Sequence, residues 1–307
     1  PTAATTPSST RIQPLSSSVP ASSIVSTYAS ASRDFMPTYR IVVAVEVLTP
    51  RTLDEALRMK SERPDARPIQ GGTDLLVELN FDRARPEMIL NLAEVAELKG
   101  WSRDNGSVRL GAALTYTEAL QGELAELMPA LAEASRTVGS PQIRNRGTIG
   151  GNLGTASPAG DAHPPLLVEG GTVVAGSVRG TREIALTEFF LGPKRNALEP
   201  DELVVAVRVE PSRRPQTFMK VGPRNAMVIA VCSLAVAADR ERGELRAAYG
   251  SAGPVPALVT APLDARDDFP RLVADAASPI DDVRGTAAYR RHALAVLTRR
   301  ALARVLA

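Results

Sequence analysis

The segment of residues 147–161 constrains this chain more than any other stretch of the sequence. It reads Gly-Thr-Ile-Gly-Gly-Asn-Leu-Gly-Thr-Ala-Ser-Pro-Ala-Gly-Asp, which is too small, too polar and too regular for an ordinary linker. Glycines have no Cβ atom, so backbone N–H groups can approach an anion closely. Thr148, Thr155 and Ser157 add hydroxyls, and the Asp161 carboxylate suits a ribose or ribityl hydroxyl. The segment predicts a glycine-rich loop that binds a phosphorylated ligand, with a structural meander between strands as the alternative.

A second glycine pair lies at Gly71 and Gly72, between a strand candidate that ends at Gln70 and a helix candidate that opens at Thr73-Asp74. Successive amides in such a turn form a concave anion nest, and the start of a helix adds a positive dipole end. Asp74 has the wrong sign for a phosphate, so we expect it to cap the helix or bind a sugar hydroxyl. Taken alone, a Gly-Gly turn before a helix is most often only a turn.

Several familiar enzyme signatures are missing from the sequence. There is no G-x-G-x-x-G, no G-x-x-x-x-G-K-[ST] and no G-x-S-x-G, which argues against a Rossmann site, a P-loop and a serine hydrolase elbow. His163 precedes two prolines, and His292 lies on an arginine-rich terminal segment. We therefore interpret both histidines as structural rather than catalytic.

The composition excludes further classes. With 1 cysteine and 2 histidines, the chain cannot build a disulfide framework, an iron–sulfur cluster or a structural zinc site by itself. Cys232 lies in an apolar run and is interpreted as a buried small hydrophobe, and a lone thiol fits a reducing, cytoplasmic compartment. The net charge of +2 is spread without a basic stripe, so nucleic-acid binding is not expected. No stretch approaches the roughly 20 apolar residues of a membrane helix.

Local patterns divide the chain into parts. Residues 1–38 are predicted to be a disordered, low-complexity extension, since their first 32 residues are rich in Ser, Thr, Ala and Pro. A strand–helix–strand–helix–strand unit follows, with a strand at 41–45, a capping box at Thr52–Glu55 with a helix to Met59, and a strand at 88–92. Further strands are predicted at 108–110, 172–175, 182–185, 203–209, 217–221, 228–238 and 244–250.

Two helices complete the prediction. A capping box at Thr115–Glu118 opens one helix with apolar residues up to Leu131 on one side. The other spans 286–307, where the arginines at 290, 291, 299, 300 and 304 are interpreted as a solvated face. We place subdomains at about 39–97 and 98–212, and a C-terminal domain at 213–307.

The two glycine-rich segments resemble the FAD-binding signatures of the flavoprotein subunit of molybdenum hydroxylases, a family that includes xanthine dehydrogenase and carbon monoxide dehydrogenase. The first is similar to the motif A-G-G-T/S-x-L, with Gln70 in place of the usual small residue. The second is similar to T-I-G-G-N-x-x-x-A-S-P-x-x-D, with every fixed position present. The resemblance covers roughly residues 40–307. It implies an α+β fold: a two-subdomain FAD-binding domain of the vanillyl-alcohol oxidase (PCMH) type, followed by a small α+β C-terminal domain.

The resemblance also implies which residues bind FAD. Leu75 would pack near the flavin, Asp161 would bind a flavin-side hydroxyl, and Val204 and Lys220 match positions that approach the ring. The Lys220 cation would favour reduced, anionic flavin, although a sheet-edge lysine is the structural alternative. Val138 stands where relatives often carry an aromatic side chain. The residues near the diphosphate and its neighbouring groups would be Ile69, Gln70, Gly71, Gly72, Thr73, Asp74, Thr148, Ile149, Gly150, Gly151, Asn152 and Ser157.

In that family, the chain would be an electron-transfer subunit. A large subunit with molybdopterin oxidises the substrate, electrons cross two [2Fe–2S] clusters of a small subunit, and FAD passes them to NAD or another acceptor. A dimer of such heterotrimers is one expected arrangement. Residues 140–146 and 279–287 look most like purine-oxidising subunits, so xanthine is the first expected substrate, with carbon monoxide, aldehydes and N-heterocycles open. The rival hypotheses are a stand-alone flavin oxidase of the same fold and a non-catalytic module with structural glycine loops.

Overall fold

The computed structural model of the chain describes residues 45–211, 214–225 and 227–307. The predicted extension at 1–38 and most of the strand predicted at 41–45 lie outside the described residues. Ser212, at the predicted domain boundary, lies outside them as well. In the described part, the fold consists of three main sheets and a two-stranded hairpin, joined by short helices.

The first sheet is parallel, with the strand order β1-β3-β2. The strand–helix–strand–helix–strand order predicted for this unit is confirmed. Its elements are β1 Glu46–Leu48, α1 Leu53–Glu62, β2 Arg67–Ile69, α2 Leu75–Asn80 and β3 Met88–Asn91. The Thr52 hydroxyl accepts from the Glu55 amide at 3.2 Å, as predicted, but the Glu55 carboxylate accepts from the Arg51 amide rather than from that of Thr52.

The second sheet is antiparallel, with the order β4-β5-β10-β6-β7. Its strands are β4 Trp101–Asp104, β5 Ser107–Gly111, β6 Thr172–Ser177, β7 Gly180–Ala185 and β10 Leu203–Val209. Between β7 and β10 lie a helical turn, α8 Leu186–Phe189, and a small hairpin of β8 Phe190–Gly192 and β9 Arg195–Asn196. The strands predicted for this region are all present, with bounds that shift by a few residues at most.

The prediction of a single helix after Thr115 was wrong. Both capping-box bonds between Thr115 and Glu118 form, but the chain then divides into a 3-10 turn at Glu118–Leu120, α3 Gly122–Leu127 and α4 Pro129–Thr137. Gly122 has a φ of +56°, outside the right-handed helical region, and Pro129 has no N–H to continue a helix from the preceding turn. The apolar positions still face the core, with Leu124, Met128 and Leu131 buried.

The second glycine-rich segment was predicted as a loop, but much of it is helical. Helix α6 Ile149–Thr155 lies within the segment, and α5 Pro141–Arg144 and α7 His163–Val168 flank it. Glycine disfavours helix by about 1 kcal/mol per residue, which is why the pattern indicated a loop. The Thr148 hydroxyl overcomes this locally by capping α6 through the Gly151 amide at 3.0 Å.

The third sheet is antiparallel in the order β11-β12-β13-β14, and its strand β12 is buried along its whole length. Its strands are β11 Gln216–Val221, β12 Cys232–Asp239, β13 Glu244–Gly250 and β14 Ala257–Pro262, of which β14 was not predicted. Ala235 and Ala237 face the core of the first two sheets, whereas Leu234 and Val236 face a second core under α9 Phe269–Ala276 and α10 Ala287–Val305. Burial on both faces explains why this stretch reads as a continuous apolar run.

The core under the terminal helix α10 confirms one prediction and corrects another. Cys232 of β12 packs in this core and is fully buried as expected. Arg290 was assigned to the solvated face, but it is only 2% exposed. Its guanidinium donates to the Ser251 carbonyl at 2.5 Å and pairs with Asp282. A buried arginine needs such partners, so Arg290 is a structural residue of this domain.

Candidate cofactor-binding site

A cleft of about 700 Å³ brings the two glycine-rich segments together. One wall comes from the chain around β2 and the start of α2, and the other from α6 and the turn that follows it. Ile149 and Lys220 do not line the cleft, because Ile149 is fully buried in the core and the Lys220 side chain is buried against Asp161. The predicted residues that do line it are Ile69, Gln70, Gly71, Gly72, Thr73, Asp74, Leu75, Val138, Thr148, Gly150, Gly151, Asn152, Ser157, Asp161 and Val204.

The Gly71-Gly72 turn requires glycine for two different reasons. A Cβ atom on Gly71 would lie 1.7 Å from the carbonyl oxygen of Arg146, immediately before the second glycine segment. Gly72 has a φ of +76°, which side chains rarely adopt, and a Cβ there would meet Leu76 at 2.9 Å. The first glycine therefore allows the two segments to touch, and the second allows the turn.

The glycines of α6 also differ in what they allow. A Cβ on Gly150 would lie 2.5 Å from the Ala112 side chain and 2.6 Å from its carbonyl, so this glycine permits close packing on the second sheet. A Cβ on Gly151 would meet only the Thr148 hydroxyl, at 3.0 Å, and one on Gly154 would meet nothing within 4 Å. Gly151 and Gly154 thus leave the cleft side of the helix open.

Polar contacts join the walls at the side of α2. The Thr155 hydroxyl donates to the Asp74 carboxylate at 3.0 Å, and Lys194 of the hairpin turn pairs with Glu78 at 2.5 Å. The Lys194 amide also donates to the Ala156 carbonyl. Asp74 was expected to cap α2 or bind a sugar, but its carboxylate makes no capping bond to that helix.

A buried ion pair lies at the other end of the cleft. The Lys220 ammonium donates to Oδ2 of Asp161 at 2.6 Å, with side-chain exposures of 5% and 9%. Burial raises the pKa of Asp161, and the Lys220 charge and hydrogen bond act in the opposite direction. Lys220 also donates to the Thr137 carbonyl at 3.2 Å, beside the cleft residue Val138. The cation therefore acts on the cleft through Asp161 rather than by lining it.

Three cleft residues carry buried oxygens that have no hydrogen-bond donor: Oε1 of Gln70, Oδ1 of Asn152 and Oδ1 of Asp161. Unsatisfied buried acceptors are costly, and they are rare in folded proteins. Together with the open faces of Gly151 and Gly154, they suit a ligand that combines an anionic group with several hydroxyl or N–H donors. In the described ranges, no group of three or more His, Cys, Asp or Glu side chains could hold a metal ion.

Comparisons with known proteins agree with this geometry. Residues 43–211 match the family described as "FAD binding domain in molybdopterin dehydrogenase". The chain belongs to this family. It is 38% identical over 194 residues to the nicotinate dehydrogenase FAD-subunit of Eubacterium barkeri. This match covers 61% of this chain and 66% of that relative, just under two thirds of its length. It is 32% identical over 213 residues to the xanthine dehydrogenase FAD-binding subunit of Escherichia coli O157:H7, covering 67% and 73%.

The solved structures give the same result at the level of the fold. Reconstituted CO dehydrogenase from Oligotropha carboxidovorans contains a chain that superposes with a TM-score of 0.79 at 26% identity, covering 85% of this chain and 97% of that one. The predicted α+β fold, with a PCMH-type FAD-binding domain and a C-terminal domain, is confirmed. As a member of the FAD-binding family, the chain is an oxidoreductase component. None of the described helices combines the length and apolar character needed to cross a membrane.

FAD fits the cleft by its chemistry, because it combines a diphosphate with ribityl, ribose and ring N–H donors. The glycine walls allow backbone amides to approach a diphosphate, and the three orphan oxygens can accept from hydroxyl or N–H groups. The adjacent His163 is fully buried, and the centroid of its ring lies 4.5 Å from that of Phe190, with the two rings tilted by 45°. Its Nε2 lies 3.2 Å from the Asn152 carbonyl, and burial lowers its pKa from 6.5 to about 4, so the ring is neutral and supports the Asn152 segment.

Several cleft residues were not predicted. Tyr116 and Ile143 come from segments around the capping box and α5, and Val228 and Ile229 come from the connection between β11 and β12. Lys60 lies at the opposite end, where it donates to the carbonyls of Pro64 and Ala66. The sequence gives no local signal for these positions, since each reaches the cleft only through tertiary packing.

Proposed function

We propose that this chain binds one FAD in the cleft and acts as the electron-transfer subunit of a molybdenum hydroxylase. In this role it would pass electrons from iron–sulfur clusters of a partner subunit to NAD or another acceptor. The observation that carries the proposal is the convergence of two glycine-lined walls with three unsatisfied buried oxygens in one cleft. FAD supplies the redox chemistry when bound, and the protein supplies position and electrostatics.

The residues of the chain have separate tasks under this proposal. Amides beside Gly72 would bind the diphosphate, and Thr73 would add a hydroxyl. Gly151, whose own amide is bonded to the Thr148 hydroxyl, would let the diphosphate approach α6 closely because it has no side chain. Asp161 would accept from a ribityl hydroxyl through its free Oδ1 atom, while Oδ2 stays paired with Lys220. Ser157 would add a polar contact near the same end. The buried residues beside the cleft exclude water from one side of the bound group. No side chain is assigned a proton-transfer role.

Apolar side chains that line the cleft would contact the rings of the bound FAD. Leu75 is 7% exposed and Val204 is 8% exposed, and both line the cleft. With Ile69 and Val138 they would pack on the planar ring systems. Ile149 would act indirectly, by anchoring α6 in the core.

The relatives support a proposal for the partners and the substrate. A chain with 1 cysteine cannot hold two [2Fe–2S] clusters, so we assign these to a small subunit and molybdopterin to a large one. A dimer of heterotrimers in the cytoplasm is the proposed assembly. Two relatives are FAD subunits of dehydrogenases named for nicotinate and xanthine, which are both N-heterocycles, and we propose a purine such as xanthine first. We also propose that the chain is divided into two FAD-binding subdomains, at about 39–97 and 98–212, and a C-terminal domain at 213–307.

Reconstitution with FAD tests the central proposal. The purified chain should release FAD on acid denaturation, and the flavin-depleted chain should take up one equivalent again, with FMN as the matched control. A chain that neither contains nor takes up FAD would contradict the proposal. Turnover of a small substrate by the isolated chain would favour a stand-alone oxidase instead. Affinity purification from the native host should recover a molybdopterin subunit and a cysteine-rich one.

A further inference from the structure

Helix α4 and the edge strand β11 run side by side and are linked by hydrogen bonds at three levels. The Gln216 side chain accepts from the Ala130 amide at 3.3 Å, in the first turn of α4. The Glu133 carboxylate accepts from the Thr217 hydroxyl at 2.7 Å and from the Phe218 amide at 2.6 Å. At the far end, the Lys220 ammonium donates to the Thr137 carbonyl at 3.2 Å. The contacts thus form a ladder of three rungs between two elements that are far apart in the sequence.

The rungs follow one another in the same direction on both elements. From Ala130 to Thr137 a helix rises about 10 Å. From Gln216 to Lys220 a strand rises about 13 Å. The similar lengths allow each rung to form in register. A slip of the strand by one residue would move Lys220 to the opposite face of β11 and away from Asp161.

Glu133 makes the middle rung, and it is the only carboxylate among the described side chains of the ladder itself. Strand β11 is at the edge of its sheet, so its outward amides have no strand partner. The Glu133 carboxylate accepts from the outward amide of Phe218 in a charge-assisted hydrogen bond, which is stronger than a hydrogen bond between neutral groups. Its side chain is 42% exposed, and Arg304 lies 3.9 Å away.

The last rung reaches the cleft. Lys220 is 2.6 Å from Asp161, and Val138, which follows Thr137, lines the cleft directly. We propose that Glu133 is a positioning residue, which fixes the register of β11 against α4 and thereby sets the Lys220–Asp161 pair at the ring end of the FAD site. This inference rests on the proposed function, because it assigns that pair to the bound flavin.

Substitution of Glu133 in the full chain loaded with FAD tests the inference. In Glu133→Ala the dissociation constant for FAD should rise about fivefold or more, since a charge-assisted bond is lost. The midpoint potential of the flavin should become more negative, because a displaced cation favours the reduced anion less. Glu133→Gln keeps an acceptor for the Phe218 amide and should remain close to wild type in both measurements. Glu126→Ala, at an exposed glutamate of α3, is the matched control and should change neither.

The readouts separate this inference from the proposed function. A wild-type chain that fails to bind FAD would contradict the proposed function itself. If the wild type binds FAD and Glu133→Ala lowers the unfolding temperature but leaves affinity and potential unchanged, Glu133 is only a stabilising contact and the inference is wrong. An equal shift for Glu126→Ala would also overturn it.

Discussion

The Thr155 hydroxyl donates to the Asp74 carboxylate at 3.0 Å and so joins two segments that are 81 positions apart in the sequence. Asp74 begins the helix after the first glycine turn, and Thr155 ends the helix of the second glycine segment. The bond therefore helps to fix the separation of the two cleft walls before any ligand arrives, together with the Lys194–Glu78 pair. A preorganised site binds more tightly, because less ordering remains to be done on binding.

Replacement of Thr155 by valine should weaken FAD binding and leave the fold intact. Valine has nearly the same shape but cannot donate to Asp74. Both side chains are near solvent, so we expect a loss of about 1 kcal/mol, or roughly a fivefold rise in the FAD dissociation constant. Fluorescence titration of the flavin-depleted chain with FAD measures this dissociation constant. Thr155→Ser retains the donor and should bind like wild type, and equal affinities for all three chains would contradict the role of this bond.

Glycines 150 and 151 should respond differently to valine. At Gly151 the space beyond the Thr148 hydroxyl is open, so the new side chain should project into the cleft and block the diphosphate. Gly151→Val should lose FAD at micromolar concentrations but keep most of its unfolding free energy. At Gly150 the side chain would collide with Ala112, so Gly150→Val should unfold more easily whether or not FAD is present. Tight FAD binding by Gly151→Val would place the diphosphate elsewhere.

Much of the fold could be predicted from local pattern, and the exceptions have identifiable causes. Strands such as Leu203–Val209 and Glu244–Gly250 alternate or run apolar clearly enough to be bounded from the sequence alone. Helix α6 was missed because its glycines disfavour helix, while its cap at Thr148 and its packing on Ala112 act in three dimensions. The Asp161–Lys220 pair spans 59 positions, and no local spacing reveals such a contact.

The motif resemblance located the cleft, whereas the electrostatics within it required the structure. The resemblance grouped Lys220 with the residues around the flavin, and the structure adds that this side chain is buried and paired with the cleft residue Asp161. Likewise, the arginine-rich pattern of α10 indicated a solvated face, and only packing showed that Arg290 points inward. Charge sign and spacing do not determine which side of a helix a neighbouring loop will cover.

Buried His163 should make the free energy of unfolding depend on pH. Its folded pKa is about 4, below its usual 6.5, so between these values the unfolded chain binds a proton that the folded chain does not. The contribution of this ring is complete above pH 6.5 and is lost as the pH falls to 4. The loss is on the order of 3 kcal/mol, at 1.36 kcal/mol for each pKa unit.

Urea unfolding at pH 8, 6 and 5 measures this dependence. In His163→Gln the amide can still donate to the Asn152 carbonyl but does not titrate, so the part of the pH dependence due to this residue should vanish. His292→Gln, at an exposed histidine, should keep the wild-type profile. Identical pH profiles for His163→Gln and wild type would show that the buried ring does not titrate as expected.

Arg290 should contribute strongly to stability, in contrast to its neighbour Arg291. The Arg290 guanidinium is buried and is the donor to the Ser251 carbonyl and to Asp282. Arg290→Met would therefore remove the donor to that carbonyl and leave Asp282 with its other partner, Arg284, inside the C-terminal domain. We expect a loss of roughly 3 kcal/mol in the free energy of unfolding. Arg291→Met removes the same charge from an exposed position and should cost about 0.5 kcal/mol or less. Guanidinium unfolding of the two variants side by side decides the matter, because similar losses for both would mean that the helix depends on its total charge rather than on the buried contacts of Arg290.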